Sequence, residues 1–254
     1  MIRFENLSFR YARREEIVLK NVSFAADSGK IVVFLGPNGV GKSTLLKCAA
    51  GLLSHYEGEI YFDDVPLKEM RASERAKAIA YVPQTVSFAP MSVFSAVLIG
   101  RMPHFGLNPT KQDEEMTWTS LREMGIEQLA GRNVEELSGG ERQKVAIARA
   151  LNQGANTIVF DEPTSNLDIT SEIMVAKSVQ TLARNKGKTV LISMHDINLA
   201  LSLGDQFAFL REGELLSFGG KETVNEDTIS AAFGVKAKLV RIENKNMILF
   251  EEDL

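Results

Sequence analysis

The chain has 254 residues, enough for one or two domains with a buried core, and its 29 basic and 33 acidic residues give a net charge of −4. This balance argues against an extended nucleic-acid-binding surface, although a local one is not excluded. The single cysteine, Cys48, excludes an internal disulfide and fits a reducing cytoplasm. No apolar run reaches the roughly 18 residues that span a bilayer, and the first residues carry no signal-peptide pattern.

Hydrophobic patterning predicts an α/β chain. Strands are predicted where side chains alternate or where a short run is wholly apolar, at 2–11, 18–26, 31–36, 58–64, 157–160, 189–193 and 207–210. Helices are predicted at 43–53, 111–131 and 138–151, and from Asp168 or Thr170 to about Gly187. Four of the seven prolines lie between Pro83 and Pro109, so that stretch should be irregular or form short pieces. Alternating strands and helices predict a largely parallel sheet.

The stretch GPNGVGKST joins the buried strand at 31–36 to the first predicted helix. Its G-x-x-x-x-G-K-S pattern is that of a phosphate-binding loop, in which glycines let successive backbone N–H groups face one anion and the helix dipole helps. Lys42 is predicted to reach the β and γ phosphates, Ser43 to bind Mg²⁺ and Thr44 to contact the α phosphate. A glycine turn with a surface lysine is the alternative. The predicted loop residues are Gly36, Pro37, Asn38, Gly39, Val40, Gly41, Lys42, Ser43 and Thr44.

Two acidic residues follow the apolar stretch TIVF. The Asp161 carboxylate should emerge at the C-terminal end of a strand, where α/β sheets bind ligands, and hold Mg²⁺ through water. Glu162 should face the γ phosphate and the attacking water, so we predict it to be a general base or a water-positioning residue. A solvated acidic loop that caps the next helix is the alternative, and the phosphate loop at Gly36 favours the functional interpretation.

The stretch LSGGERQKVAIARAL predicts a second helix start that can bind an anion. Ser138 is a good N-cap, and Glu141 lies three residues later, as in a capping box. The capping box does not account for Gly139 and Gly140, since each glycine costs roughly 1 kcal/mol relative to alanine inside a helix. Uncovered backbone amides at this helix start therefore predict a second phosphate site.

With these motifs in this order, the sequence resembles the ATP-binding subunits of ABC transporters over nearly its whole length. GPNGVGKST resembles the Walker A motif, TIVFDEP resembles Walker B, and LSGGE resembles the signature motif, with Glu141 where glutamine is more usual. The resemblance implies a P-loop NTPase with a RecA-like core, an N-terminal antiparallel β subdomain and an inserted α-helical subdomain. It implies ATP and Mg²⁺ as ligands, and ATP hydrolysis as the activity.

Four further residues extend the resemblance. Gln84, in YVPQ, resembles the Q-loop glutamine that links Mg²⁺ to the membrane partner, and Asp168 ends a D-loop-like SNLD. His195 resembles the switch histidine at the γ phosphate, although a lone histidine after a strand is more often structural. Tyr11 resembles the aromatic residue that stacks on adenine, although it could simply pack on the sheet. The resemblance thus implies Lys42, Glu162 and His195 as catalytic residues and Ser43, Gln84 and Asp161 as Mg²⁺ ligands, with Tyr11, Gln84, Ser138, Gly139, Gly140 and Asp168 added to the nucleotide site.

The resemblance also implies a division of one ABC ATPase domain over residues 1–254. The nucleotide-binding core with the β subdomain would comprise 1–84 and 157–220, the helical subdomain with the signature motif 85–156, and a short C-terminal extension 221–254.

Several partners are implied as well. Two copies would pack head to tail, so that Ser138 and Gly140 of one copy cover the ATP bound at Lys42 of the other. A separate membrane permease would dock near residues 84–106, at the cytoplasmic face of the cell membrane. A solute-binding protein would complete the system, and no nucleic acid would take part.

The stretches 99–106 and 229–254 look like those of siderophore, haem and cobalamin importers, so the expected role is import of a metal chelate. The ATPase subunit of an exporter is one alternative, and a non-transport ABC ATPase acting on DNA or ribosomes is another. DNA-repair relatives insert a long coiled coil between the two halves of the site, and the 93 residues at 44–136 are too few for one. Ribosomal relatives usually fuse two cassettes, and this sequence has one.

Overall fold

The structure is a computed structural model that describes residues 1–12, 16–106, 108–165, 167–243 and 245–250. Its strands are β1 Ile2–Phe9, β2 Leu19–Ala26, β3 Ile31–Leu35, β4 Glu57–Phe62, β5 Val65–Pro66, β6 Ile79–Val82, β7 Thr157–Phe160, β8 Thr189–Ser193, β9 Gln206–Arg211, β10 Glu214–Gly219, β11 Ala237–Ile242 and β12 Lys245–Phe250. Its α-helices are α1 Lys42–Ala49, α2 Ala72–Ala78, α3 Val93–Leu98, α4 Lys111–Glu123, α5 Gly139–Asn152, α6 Ile169–Lys186, α7 Ile197–Leu203 and α8 Glu226–Phe233.

The central sheet has six strands in the order β10-β9-β3-β8-β7-β6. Neighbours from β9 to β6 are parallel, and β10 pairs antiparallel with β9. Every residue of β3, β7 and β8 is buried, which explains why these strands read as continuous apolar runs. Because parallel strands end at the same edge, the residues that follow β3, β6, β7 and β8 meet at one place.

An antiparallel sheet in the order β2-β1-β4-β5 confirms the predicted N-terminal β subdomain. Its apolar face packs with α1 against one side of the central sheet, and the rings of Phe4 and Phe24 stack there with centroids 4.3 Å apart. The other side of the central sheet packs against α5 and α6. The P-loop helix α1 therefore lies in the layer between the two sheets.

Two helices end earlier than predicted. The prediction of a helix at 111–131 was wrong beyond α4, which ends at Glu123, because Gly125 adopts φ 60° and turns the chain. The apolar spacing of the sequence continues past the end of α4 because Ile126 and Leu129 are buried in the same core. Similarly, the predicted helix 43–53 starts one residue earlier and ends at Ala49, because the chain turns at Gly51, which has φ 69°.

The proline-rich stretch forms short pieces, as predicted, and these include α3 and a 3-10 turn at Ile99–Arg101. A buried ion pair connects the stretch to α4. Arg101 Nε lies 3.0 Å from Asp113 Oδ1, and Asp113 is only 5% exposed. The hydroxyl of Thr110 donates to Asp113 Oδ2 at 2.7 Å. Hydrogen bonds from Thr110, and then from Arg101, lower the pKa of Asp113 to about 2.

We expect Asp113→Ala to lower the free energy of unfolding by about 3 kcal/mol, because Arg101 would stay buried without its counter-charge. Since the folded-state pKa of Asp113 lies below its ordinary value, its stabilisation is full at neutral pH and is lost as pH falls from about 4 towards 2. Urea unfolding at pH 7 and pH 3 measures this effect as a difference from wild type that shrinks in acid. Glu115→Ala, exposed on the same helix, is the control, and an equal loss in both variants would contradict the prediction.

Candidate nucleotide-binding site

The loop between β3 and α1 needs glycine at both ends of its motif. Gly36 has φ 147°, and a Cβ there would lie 2.3 Å from the carbonyl oxygen of Leu210. Gly41 has φ 111°, and a Cβ there would lie 3.0 Å from the carbonyl oxygen of Val18. Backbone from β9 and from the residue before β2 thus presses against the loop, which explains the two glycines that the motif requires.

Lys42, the first residue of α1, folds back over this loop. Its ammonium group donates to the carbonyl oxygens of Gly36 at 2.7 Å and Pro37 at 3.0 Å, and it lies 3.9 Å from Glu162 Oε1. Burial lowers the pKa of Lys42, while Glu162 and Asp161 act in the opposite direction. The cation therefore lies between the loop carbonyls and the acidic residues that follow β7.

Asp161 is 3% exposed and accepts hydrogen bonds from three hydroxyls. Ser43 and Ser193 donate to its Oδ1 at 2.8 and 3.0 Å, and Tyr81 donates to its Oδ2 at 3.0 Å. The structure thus brings together Ser43 and Asp161, two of the three predicted metal ligands, whereas the third, Gln84, contacts Glu162. The sequence analysis missed Tyr81 and Ser193, and the available signal for Ser193 was a hydroxyl that ends a wholly apolar strand.

The carboxylate of Glu162 is surrounded by the other predicted residues. Gln84 donates to Glu162 Oε2 at 2.7 Å, and His195 Nδ1 lies 3.6 Å from Glu162 Oε1. Glu162 is 8% exposed and has φ 47°, a left-handed conformation that costs a non-glycine residue about 1 kcal/mol or more. Surrounding contacts must therefore hold Glu162 in place.

Two adjoining cavities form one cleft at this edge of the sheet, since both are lined by Gly39, Ser43 and Glu162. One has a volume of about 440 Å³ and extends to Tyr11, whose hydroxyl lies 3.2 Å from Thr44 Oγ1. The other has a volume of about 520 Å³ and extends to Gln84, Glu172 and His195. The Tyr11 ring also packs edge-on against Phe9 at 4.8 Å, so its packing on the sheet and its place in the cleft are compatible.

The signature residues do not line this cleft in the described part of the chain. Ser138 caps α5 through a complete capping box, in which its backbone N–H and its hydroxyl both donate to Glu141 Oε2, at 2.9 and 2.8 Å. Asp168 caps α6 by accepting from the Ser171 N–H at 2.7 Å. Ser171 lies beside Gly140, so the two helix starts are neighbours.

Gly139 is the first residue of α5, and only Gly140 approaches α6 closely. The predicted D-loop at 165–168 contains Asn166, which lies outside the described residues. Neither glycine lines the cleft that contains the phosphate loop. In a single copy of the chain, the start of α5 therefore lies outside its own nucleotide cleft.

The hydroxyl of Ser43 and the carboxylate of Asp161 both offer oxygen, which suits a hard cation such as Mg²⁺, and Gln84 lines the same cleft as Ser43. Among the described residues, no group of three or more His, Cys, Asp or Glu side chains could hold a metal ion. Magnesium sites that use only one or two protein oxygens complete their coordination with water and substrate phosphates.

A family model described as ABC transporter matches residues 19–165, more than half of the chain. The chain belongs to the ABC transporter family. Membership identifies this ABC ATPase as a subunit that binds and hydrolyses ATP, and it confirms the predicted P-loop NTPase fold.

Two relatives and one solved structure are similar to this ABC ATPase over most of its length. It is 39% identical over 238 residues to an uncharacterised ABC transporter ATP-binding protein of Methanocaldococcus jannaschii, covering 94% of this chain and 93% of the relative. It is 32% identical over 242 residues to the iron(3+)-hydroxamate import ATP-binding protein FhuC of Bacillus subtilis, covering 93% and 88%. The dimeric post-hydrolysis structure of the ATP-binding cassette MJ0796 with ADP and Pi is similar at a TM-score of 0.78 and 30% identity, covering 87% and 98%.

Proposed function

We propose that this ABC ATPase powers a separate membrane permease that imports a metal chelate, such as a siderophore complex, haem or cobalamin. The observation that carries the ATPase part is the convergence of Lys42, Asp161, Glu162 and His195 at one edge of the sheet. Similarity to an iron(3+)-hydroxamate import subunit over 93% of the chain supports the import part. Among the described residues, no helix has both the length and the apolar character needed to cross a bilayer.

In the proposed site, the triphosphate of ATP binds along the loop from Gly36 to Thr44. Lys42 exchanges the two loop carbonyls for the β and γ phosphates, and Tyr11 stacks on the adenine. Ser43, Asp161 and Gln84 hold Mg²⁺, which neutralises phosphate charge when bound.

Glu162 orients and deprotonates the water that attacks the γ phosphate. Gln84 and His195 both approach its carboxylate, so they hold it towards the phosphate end of the cleft. His195 is 47% exposed, which leaves its ring accessible to the γ phosphate.

A second copy completes the proposed site. Ser138, Gly139 and Gly140 lie outside the cleft of their own chain, and the similar MJ0796 cassette was solved as a dimer. In a head-to-tail dimer with twofold symmetry, each signature helix start covers the ATP of the other copy, and Asp168 lies at the same face. The Ser138 hydroxyl must then turn from Glu141 to donate to the γ phosphate.

The permease is proposed to dock near residues 84–106, on the cytoplasmic side of the membrane. A groove of about 470 Å³ lies between this segment and the central core, and Ile99 and Met102 line it. Leu52 completes its apolar rim, and the exposed fractions of Leu52 and Met102 are 58% and 60%. Exposed apolar side chains around a groove are typical of a protein interface. A solute-binding protein would deliver the chelate to the permease.

The test is to co-purify the subunit with its membrane permease, and to measure uptake of iron chelates, haem and cobalamin into vesicles. We expect Met102→Glu to lower recovery of the complex at least about 10-fold, since a charge would enter an apolar contact, and to leave the ATPase rate of the free subunit unchanged. Leu249→Glu is the control, because Leu249 is also half-exposed but lies on β12. Transport out of the cytoplasmic side would overturn import, and equal recovery of both variants would overturn the docking site.

A further inference from the structure

Ser193, the last residue of β8, is a fully buried polar residue between the two acidic residues of the site. Its hydroxyl donates to Asp161 Oδ1 at 3.0 Å and accepts from the backbone N–H of Glu162 at 2.9 Å. A serine hydroxyl carries one proton, so donation to Asp161 leaves its lone pairs free to accept from Glu162. One side chain on β8 thus connects the carboxylate of Asp161 with the backbone of Glu162.

Glu162 needs such a contact because of its backbone. A residue with φ 47° remains there only when its surroundings hold it. Ser193 binds the N–H of Glu162, and Ser165 donates to its carbonyl oxygen through its own N–H and hydroxyl, at 3.2 and 2.9 Å. The Ser165 contact belongs to a local turn, whereas the Ser193 contact comes from the neighbouring strand and is buried.

The strand β8, which ends at Ser193, also leads directly to His195. Ser193 precedes His195 by two residues, and β8 lies between the P-loop strand β3 and β7. Since Ser193 is inaccessible and lines neither cavity, it cannot touch a nucleotide in the cleft. Any effect that Ser193 has on ATP hydrolysis must act through Asp161 or Glu162.

We propose that Ser193 is a positioning residue for ATP hydrolysis, which holds Glu162 in the left-handed conformation that presents its carboxylate to Gln84, Lys42 and His195. This inference rests on the proposed role of Glu162. When the hydroxyl is lost, the Glu162 N–H is left buried without an acceptor, so the peptide is free to rotate and the carboxylate moves.

Tyr81 provides a matched comparison. Its hydroxyl donates to the other oxygen of the same carboxylate, Asp161 Oδ2, at 3.0 Å. Burial, and then Asp161, raise the pKa of Tyr81, so the phenol remains protonated and donates. Tyr81→Phe therefore removes one hydrogen bond from Asp161 and leaves the bond between Ser193 and Glu162 in place.

The experiment compares kcat, KM for ATP and the Mg²⁺ concentration at half-maximal rate in the purified full chain. We expect Ser193→Ala to lower kcat on the order of 100-fold, as a small misplacement of a catalytic group does, with KM for ATP changed less than about 3-fold. Ser193→Cys keeps a donor and acceptor at this position, in a slightly larger side chain that forms weaker hydrogen bonds, so its kcat should lie between those of alanine and wild type. Tyr81→Phe should mainly raise the Mg²⁺ requirement, and its kcat at saturating Mg²⁺ should fall much less than that of Ser193→Ala.

Equal losses of kcat in Ser193→Ala and Tyr81→Phe would overturn the proposal, because Ser193 would then act through Asp161 alone. A wild-type kcat in Ser193→Ala would overturn it as well. If the alanine variant does not fold, the kcat of Ser193→Cys is compared with that of Tyr81→Phe instead. Equal losses, or a wild-type kcat in Ser193→Cys, would then overturn the proposal. Glu162→Gln separates the two hypotheses: wild-type hydrolysis in that variant rejects the role of Glu162 itself, whereas lost hydrolysis beside a normal Ser193→Ala rejects only the positioning role.

Discussion

Glu162→Gln is expected to bind ATP with nearly wild-type affinity and to hydrolyse it at least about 100-fold more slowly, because an amide cannot accept the proton of the attacking water. Glutamine has almost the same shape, and it can still accept from Gln84, so the cleft should remain intact. Single-turnover hydrolysis measures the rate, and equilibrium titration with ATP measures the affinity.

Glu172→Gln is a suitable control for this variant. Glu172 lines the same cleft and lies in the first turn of α6, but it has no proposed chemical role. Its hydrolysis rate should stay within about 3-fold of wild type, since loss of an acidic residue in the first helical turn changes local electrostatics only modestly. Equal losses in the two variants would show that negative charge in the cleft, and not a base at Glu162, supports hydrolysis.

The same variant tests the proposed dimer. Because ATP would persist between the two copies, Glu162→Gln with ATP and Mg²⁺ should elute from a sizing column at twice the mass of the nucleotide-free chain. The γ phosphate would be the group that each signature helix start recognises, so ADP should leave the chain monomeric. A variant that binds ATP and remains monomeric would count against the head-to-tail arrangement, without affecting the role of Glu162.

The sequence predicted best those elements whose bounds are determined by residues close in sequence. The buried strands β7 and β8 have the predicted bounds, and Ser138 and Asp168 cap their helices, because caps and apolar runs depend on residues close in sequence. The end of α4 was missed, since the apolar spacing continues past Gly125 into a separate short turn that packs on the same core.

The contacts of Tyr81 and Ser193 could not be predicted in the same way. Tyr81 and Asp161 are 80 residues apart, and Ser193 and Asp161 are 32 residues apart, on three neighbouring strands. A hydrogen bond between strands depends on the order of the sheet and on its register, and no local pattern contains either. The glycine and acidic motifs could be recognised because each is a short stretch whose residue types and spacing suit the binding of a triphosphate.

The cleft combines a buried cation with two buried carboxylates, and this balance determines what it can bind. Asp161 and Glu162 would repel a triphosphate by themselves, and Lys42 is the cation that lies near both. A divalent cation would offset the charge of Asp161, which already lies beside Ser43. Lys42 should therefore contribute more to nucleotide affinity than an isolated lysine on the surface would.

Lys42→Ala is accordingly expected to lower the affinity for ATP at least about 30-fold, since charge-assisted hydrogen bonds to phosphate are lost and the two carboxylates remain. The loop itself should keep its shape, because its glycines and the backbone packed against them remain, so ATP binding can be measured on folded protein. Equilibrium titration with ATP and with ADP measures the effect, and the loss should be smaller for ADP, which lacks the γ phosphate.

Lys47→Ala is the matched control, because Lys47 lies on the same helix but in its last turn, away from the loop. Its ATP affinity should be within about 2-fold of wild type, since the change removes a charge whose interaction with the helix dipole falls off within one turn. Unchanged ATP binding in Lys42→Ala would reject the assignment of this loop to the β and γ phosphates. Equal losses for ATP and ADP would restrict the contact of Lys42 to the β phosphate, and the γ phosphate would then depend on His195 and the second copy.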